Sequence, residues 1–156
     1  MKPSSVAIDI QYVTEHPAPP REQFEQWINS ALLIIDETVS ELTVRIVDRD
    51  EMTELNTQFR KKTGATNVLS FPYPSSLPGD NGLMGDIAIC QPVVVAEAEE
   101  QGKLVQAHWA HLTLHGLLHI VGYDHQTDEE AEAMESKEIK IMAQLSFDNP
   151  YQENPK

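Results

Sequence analysis

Residues 104–125 read LVQAHWAHLTLHGLLHIVGYDH and contain five of the six histidines of the chain. Apart from the histidines, residues 104–121 are nearly all apolar, which is typical of a helix buried on every side. At about 100° per residue, His108, His111, His115 and His119 fall within an arc of about 80° on one helix face. Imidazoles stacked in a core need polar partners, and a metal ion can satisfy them. This stretch therefore predicts a buried helix that carries a metal site.

The spacing of three histidines and one glycine indicates which residues bind the ion. His115 and His119 are four positions apart, so their rings lie one turn apart on one face, where two nitrogens can meet one ion. Gly122 follows the helix end, where glycine can take the left-handed conformation and turn the chain sharply. His125 comes three residues later and can return toward the same ion. We therefore predict a metal site formed by His115, His119 and His125.

The donor set favours zinc. The pattern His-x-x-x-His-x-x-Gly-x-x-His matches the metzincin zinc motif, so the predicted site is zincin-like. Three neutral imidazoles suit zinc best, and they leave the fourth position open for water, as in a catalytic site. One Zn²⁺ ion per chain is expected. The alternative is a set of hydrogen-bonded core histidines, and His108 and His111 are expected to be such partners or to line a cleft.

The position after the first histidine argues against a protease. In the metzincin proteases a glutamate follows the first histidine and acts as general base, whereas this chain has Gly116 there. Glycine offers no proton acceptor, so peptide hydrolysis by the usual route lacks its base. Because glycine inside a helix costs about 1 kcal/mol relative to alanine, we expect that something packs close to Gly116 or needs the space.

Periodicity along the rest of the chain predicts a small mixed domain. Alternating apolar residues predict strands near residues 6–12, 42–46, 68–71 and 83–90. Helical spacing predicts helices over about 21–35, 50–59, 92–101, 104–121 and 127–145, the last one opened by a capping box of Thr127 and Glu130. The order β-α-β-α-β-β-α-α-α predicts one α/β (α+β) domain over residues 1–156, with a small mixed sheet and helices packed against it. Residues 147–156 are expected to form a loose C-terminal tail.

Composition narrows the function and the location. The net charge is −14, which argues against a large electrostatic grip on nucleic acid or an anionic membrane. Residues 60–79 nevertheless hold Arg60, Lys61 and Lys62 and no acid, whereas the six acids of residues 127–138 are expected to form a solvated helix face. With one cysteine, no apolar secretory segment and no long apolar run, we expect a cytoplasmic protein without membrane contact.

Several ordered motifs resemble the YbeY family of bacterial endoribonucleases and ribosomal RNA maturation factors. The strongest covers residues 115–125 (HGLLHIVGYDH). The others cover residues 55–60 (LNTQFR) with 66–72 (TNVLSFP), residues 85–90 (GDIAIC) and residues 107–111 (AHWAH). The resemblance spans about residues 40–151, with a looser match before it.

The resemblance implies a zinc-bound hydrolase that acts on single-stranded RNA, in 3′-end maturation of 16S rRNA and in ribosome quality control. It implies that the essential arginine of the family corresponds to Arg60, and its key first histidine to His115. The implied partners are an rRNA precursor, the small ribosomal subunit with one of its proteins, and an assembly GTPase.

The residues fit this chemistry independently of the family. Cleavage of a phosphodiester builds negative charge on phosphoryl oxygens, which a metal ion stabilises and the planar fork of an arginine can hold. The nucleophile is either the 2′-hydroxyl of the RNA or a zinc-bound hydroxide. Two other functions stay open: a non-catalytic ribosome assembly factor stabilised by zinc, and a metalloprotease.

Overall fold

The computed structural model describes residues 6–35, 39–60, 64–74, 83–124 and 126–151, with the backbone only at positions 60, 73, 74 and 83. The described strands are β1 (Ala7–Tyr12), β2 (Val39–Val47), β3 (Val68–Pro74) and β4 (Leu83–Cys90). The described helices are α1 (Arg21–Ile35), α2 (Arg49–Arg60), α3 (Gln91–Gln101), α4 (Val105–Ile120) and α5 (Asp128–Gln144). The predicted element order is confirmed, and β3 runs three residues beyond the predicted end.

The four strands form one mixed sheet in the order β1-β2-β4-β3. Strands β1, β2 and β4 are parallel, and β3 is antiparallel to β4. Helices connect the parallel strands, as parallel pairing requires. The predicted single domain of α+β class with a small mixed sheet is confirmed.

Successive residues of β4 enter two different cores. Ile87 and Ile89 belong to the larger cluster, which also holds the buried faces of α1, α4 and α5. Ala88 and Cys90 belong to a smaller cluster beside α2. Because side chains alternate along a strand, the sheet separates the two clusters.

Helix α4 is buried on nearly every side, as its composition predicts. It packs against β3, β4, α1, α3 and α5. Two glycines let it approach the sheet closely: a Cβ atom at Gly85 of β4 would lie 2.8 Å from Cγ1 of Ile120, and one at Gly116 would lie 3.0 Å from Cγ2 of Ile87. The expected close packing at Gly116 is therefore the contact of α4 with β4.

The end of α4 has the predicted sharp turn. Gly122 has φ +109°, a conformation that other residues rarely adopt. The amide of Gly122 donates to the carbonyl of His119, and the amide of Tyr123 donates to that of Leu118. These two bonds form a Schellman motif, which redirects the chain immediately after the histidine helix.

Helix α5 begins with the predicted capping box. Glu130 N–H donates to the Thr127 hydroxyl, and the Glu130 carboxylate accepts from the Thr127 amide. The prediction that the acidic residues of 127–138 form a solvated face is wrong for Glu138, whose exposed fraction is 0%. Glu138 continues the buried stripe of Met134, Ile141 and Met142 at helical spacing, so its carboxylate points into the core.

The C-terminal residues that the structure describes contact the domain. Phe147 packs against the larger core, and the carbonyl of Pro150 accepts a 2.8 Å hydrogen bond from Lys103 Nζ. The tail prediction also covered residues 152–156, which lie outside the described residues and for which it stays a prediction. Among the described residues, no helix is long and apolar enough to cross a membrane.

Candidate metal centre

His115 and His119 turn the same ring nitrogen toward each other. Their Nε2 atoms lie 3.2 Å apart, and the ring planes are inclined by 79°. Two imidazole nitrogens bound to one tetrahedral zinc ion at about 2.0–2.1 Å lie about 3.3–3.4 Å apart. The 3.2 Å separation, which is that of an N–H···N hydrogen bond between the rings, is within about 0.2 Å of this value, so the two nitrogens fit a shared zinc ion after a small movement.

A buried carboxylate lies behind His115. Oε2 of Glu138 is 2.6 Å from Nδ1 of His115. Because an ionised carboxylate only accepts hydrogen bonds, Nδ1 carries the proton and donates it. In a neutral ring this leaves a lone pair on Nε2, the atom that faces His119.

The other oxygen of Glu138 has two further donors. Nε2 of His111 lies 3.3 Å from Oε1, and the hydroxyl of Tyr151 donates a short hydrogen bond to the same atom. Burial by itself raises the pKa of Glu138, but the hydrogen bonds from His111 and His115 outweigh it and lower the pKa to about 2. Burial and the neighbouring Glu138 carboxylate together raise the pKa of Tyr151. Glu138 is therefore ionised at neutral pH, and the phenol keeps its proton.

His108 has a separate carboxylate partner. Its Nε2 atom lies 2.9 Å from Oε1 of Glu97, and the exposed fraction of His108 is 5%. Burial lowers the pKa of His108 below its ordinary value, although the hydrogen bond that His108 donates to Glu97 opposes the change. His108 and His111 thus pair with carboxylates, which agrees with their expected role as hydrogen-bonded partners.

The facing nitrogens open onto a cavity of about 610 Å³. One wall is α4, with His115, Gly116 and His119, and the turn after it supplies Gly122, Tyr123, Asp124 and Gln126. The opposite wall is formed by Asn56 of α2 together with residues 66–70 and Pro72. The motifs at residues 55–60 and 66–72 thus reach the same cavity as the motif at residues 115–125.

The third predicted ligand, His125, lies outside the described residues. Its neighbours on both sides, Asp124 and Gln126, line the cavity that holds His115 and His119. Among the residues that the structure describes, no group of three or more metal-ligating side chains is present. The structure brings two of the predicted ligands together, and the third stays a prediction.

Arg60 is the last residue of α2, and its side chain is not among those the structure describes. Position 60 lies one helical turn beyond Asn56, so both positions share one helix face. Asn56 is 6% exposed, and its Nδ2 atom donates a 2.9 Å hydrogen bond to the carbonyl of Gly64. This bond joins α2 to the segment that forms the opposite wall.

Reasoning from the sequence missed Glu138, Tyr151 and Glu97. Glu138 could have been found, because an acid in register with Met134 and Ile141 occupies a core position of an amphipathic helix. Glu97 and Tyr151 carry no comparable signal, since only the packing of distant segments places them beside histidines.

Comparisons with known proteins agree with the motifs. The family model described as Endoribonuclease YbeY matches residues 9–146. Proteins named Endoribonuclease YbeY from Coxiella burnetii (strain Dugway 5J108-111) and Methylococcus capsulatus are 48% and 47% identical to this chain. Each alignment covers 95% of this chain, together with 99% and 97% of the respective relative.

The fold also matches a solved structure. The solution structure of TM1509 from Thermotoga maritima aligns with a TM-score of 0.56 and 23% sequence identity. The alignment covers 93% of this chain and 99% of the other. Given the match of the family model over most of the chain and the close relatives, the protein belongs to the YbeY endoribonuclease family.

Proposed function

We propose that this protein is a zinc-dependent endoribonuclease that cleaves single-stranded RNA, with one ion held by His115, His119 and His125. The observation that supports the proposal most is the 3.2 Å separation of the Nε2 atoms of His115 and His119, two residues that line the same cavity. The family name supports the reaction, and the histidine pair supports the metal.

In this reaction, the histidines would bind the metal ion and polar residues of the cavity would contact the substrate. A bound zinc ion supplies Lewis-acid stabilisation of charge on a phosphoryl oxygen and lowers the pKa of water to about 7. His115 would bind the ion through Nε2, because Glu138 holds its proton on Nδ1, and His119 would bind through the Nε2 atom that faces it. In the same cavity, the Ser70 hydroxyl is proposed to contact the ribose or phosphate of the substrate, whereas the side-chain amide of Asn67 is held by Glu97.

Arg60 is proposed to hold the scissile phosphate. Position 60 follows Asn56 by one turn, and Asn56 lines the cavity. A planar guanidinium can donate two parallel hydrogen bonds to phosphate oxygens. The only acid among the described residues that line the cavity is Asp124, so a phosphate meets little local repulsion there.

Placement on the substrate is proposed to come from docking rather than from overall charge. With a net charge of −14, the chain is expected to bind free RNA weakly. We infer that the small ribosomal subunit, one of its proteins and an assembly GTPase bring this cytoplasmic enzyme to the 3′ end of the 16S rRNA precursor and into ribosome quality control. A second contact of this kind raises the effective concentration of the substrate.

A metalloprotease is a weaker reading of the same cavity. Position 116 has no side chain, and a Cβ atom there would lie 3.0 Å from Ile87. A side chain at this position therefore requires the Ile87 side chain to move by a few tenths of an ångström. Cleavage of a peptide library that is abolished by a chelator would favour the protease.

A zinc-stabilised assembly factor without catalysis is the alternative of another class. Under that reading, the loss of RNA processing in a variant follows the loss of folding. Arg60→Gln separates the two readings, because it removes the guanidinium at the last residue of α2 and keeps a side chain with good helix propensity. Loss of processing in Arg60→Gln with unchanged thermal stability favours the enzyme.

The test is cleavage of an end-labelled single-stranded RNA by the protein as purified, after chelation and with zinc restored. His115→Ala and Arg60→Gln run beside it, with Arg49→Gln as the matched control at the other end of α2. We expect cleavage that is lost with chelator and in the first two variants only. A 2′,3′-cyclic phosphate on the product would identify the 2′-hydroxyl as nucleophile. Equal cleavage in every preparation would reject the proposal and indicate a contaminating nuclease.

A further inference from the structure

Glu138 and Tyr151 form a hydrogen-bonded network behind His115, and neither residue lines the cavity. We propose that Glu138 is a positioning residue that fixes the proton of His115 on Nδ1, and that Tyr151 holds Glu138 in place for this task. The inference rests on the proposed metal site and adds the residues that prepare it before an ion binds.

The contacts of Glu138 fix the protons of His115 and Tyr151. Its Oε2 atom accepts from His115 Nδ1 at 2.6 Å, and its Oε1 atom accepts from the Tyr151 hydroxyl. Nε2 of His111 lies 3.3 Å from Oε1 and also 3.3 Å from the Tyr151 hydroxyl oxygen. The exposed fraction of Glu138 is 0%, so water does not compete for these oxygens. Each carboxylate oxygen is thus satisfied by a donor that keeps its proton on the side of Glu138.

This arrangement prepares the nitrogen that a metal needs. In a neutral histidine that carries its proton on Nδ1, the Nε2 atom is unprotonated and can bind a metal. A metal-ligating histidine commonly donates its other ring proton to a carboxylate. The unprotonated Nε2 of His115 is the atom that lies 3.2 Å from Nε2 of His119. Without Glu138 the ring could take the other tautomer or rotate, and ion binding would then require that change first.

Tyr151 connects the segment that follows α5 to this network. Its ring meets the His111 ring edge to face, with the centroids 5.3 Å apart. Tyr151 follows Pro150, whose carbonyl is held by Lys103. A segment about thirty residues away from the histidine helix in sequence thereby supports a ligand of the ion.

A second carboxylate–histidine pair on the same helix provides the control. Glu97 lies 2.9 Å from Nε2 of His108, whereas Glu138 lies beside Nδ1 of His115, and His108 is not a predicted ligand. Glu97→Gln therefore removes a comparable charge and hydrogen bond without touching His115. The side chain of Glu97 is 28% exposed and that of Glu138 is fully buried, so this control tests the loss of a carboxylate–histidine bond on α4 rather than the loss of burial. If any carboxylate–histidine pair along α4 supports zinc affinity, both variants should lose it.

The experiment measures zinc affinity by competition with a chromogenic chelator for the full-length protein, Glu138→Gln, Tyr151→Phe and Glu97→Gln. Two-bond ¹H–¹⁵N correlation spectra of the metal-free proteins report the His115 tautomer, with its signals assigned from His115→Ala. Neither readout depends on RNA cleavage.

We expect the unaltered protein to show His115 protonated on Nδ1. Glu138→Gln should bind zinc about 10- to 100-fold more weakly, with His115 no longer confined to that tautomer. Tyr151→Phe should show a smaller loss in the same direction, and Glu97→Gln should stay within about twofold of the unaltered protein.

Unchanged zinc affinity in Glu138→Gln, or equal losses in Glu138→Gln and Glu97→Gln, would overturn the inference. If Glu138→Gln does not fold, the tautomer of His115 in the unaltered protein tests the inference. A His115 proton on Nε2 would exclude the proposed role of Glu138. Absence of zinc binding by the unaltered protein would instead reject the metal site of the proposed function, and the role of Glu138 with it.

Discussion

Gly116 of α4 lies so close to Ile87 of β4 that a Cβ atom at position 116 would come within 3.0 Å of the Ile87 Cγ2 atom. The same helix approaches the sheet through Gly85, where a Cβ atom would lie 2.8 and 2.9 Å from two carbons of Ile120. The histidines are thus carried by a helix whose distance from the sheet is set by two glycines.

The two glycines should differ in their response to alanine. At Gly85 the new methyl group overpacks the contact with Ile120, and overpacking typically costs about 1–3 kcal/mol. At Gly116 a looser contact is offset by the gain in helix propensity, about 1 kcal/mol. We expect Gly85→Ala to lower the free energy of unfolding clearly more than Gly116→Ala, as measured by urea denaturation. An equal loss in both variants would contradict this packing.

Replacement of Gly122 should affect both stability and metal binding. Its φ of +109° is unfavourable for any residue with a side chain, so Gly122→Ala should lower the free energy of unfolding by about 1 kcal/mol or more. Because the turn leads to His125, zinc affinity should fall as well if His125 is a ligand. Gly64→Ala is the control, since Gly64 has φ +89° but does not precede a histidine. Its zinc affinity should stay unchanged while its stability falls.

Zinc should raise the thermal stability of the unaltered protein. An ion that binds only the folded state at about 100 times its dissociation constant adds about 2.7 kcal/mol to the free energy of unfolding. His115→Ala and His119→Ala should lose most of this gain, because each removes one of the two facing nitrogens. His16→Ala provides the control, since His16 is exposed and lies outside the histidine helix. Differential scanning fluorimetry with and without zinc measures the effect, and a full gain in His119→Ala would exclude that residue as a ligand.

Acid should destabilise the protein partly through His108. Burial lowers the folded-state pKa of His108 below its unfolded value, and the charges of His111 and Lys103 lower it further, whereas the hydrogen bond that His108 donates to Glu97 opposes the change. The unfolded chain therefore binds the proton more readily. This contribution to stability is fully present above the unfolded pKa and is lost as the pH falls from the unfolded to the folded pKa.

His108→Gln removes this titration. Between pH 7.5 and 5.5, the free energy of unfolding should fall less in His108→Gln than in the unaltered protein. Urea denaturation at a series of pH values, with the same zinc concentration for both proteins, provides the comparison. Parallel curves for the two proteins would show that His108 does not titrate differently on unfolding.

Binding to free single-stranded RNA should be weak and steeply dependent on salt. For single strands the slope of log K against log salt is about −0.7 per neutralised phosphate. If Arg60 contacts one phosphate, Arg60→Gln should reduce the magnitude of the slope by about 0.7, while Arg49→Gln should leave it unchanged. Fluorescence anisotropy with a labelled RNA measures the slope. Tight binding that persists at high salt would contradict the idea that docking places the enzyme.

The element order, the burial of the histidine helix and the turn after it could all be predicted from local sequence patterns. These are local properties: apolar periodicity of 2 or 3.6 residues, a capping box at Thr127 and a glycine just past a helix end. The facing of His115 and His119 is equally local, because residues four apart on one helix must lie one turn apart.

The groups that surround those histidines depend instead on how distant segments pack together in the fold. Glu138, Glu97 and Tyr151 reach His115, His108 and His111 from segments 11 to 40 positions away in sequence. Sequence spacing does not encode such pairings, because they depend on how α3, α5 and the C-terminal segment pack around α4. The same holds for Gly116, whose missing side chain is explained by a strand that precedes it by almost thirty residues and that the fold brings into contact with it.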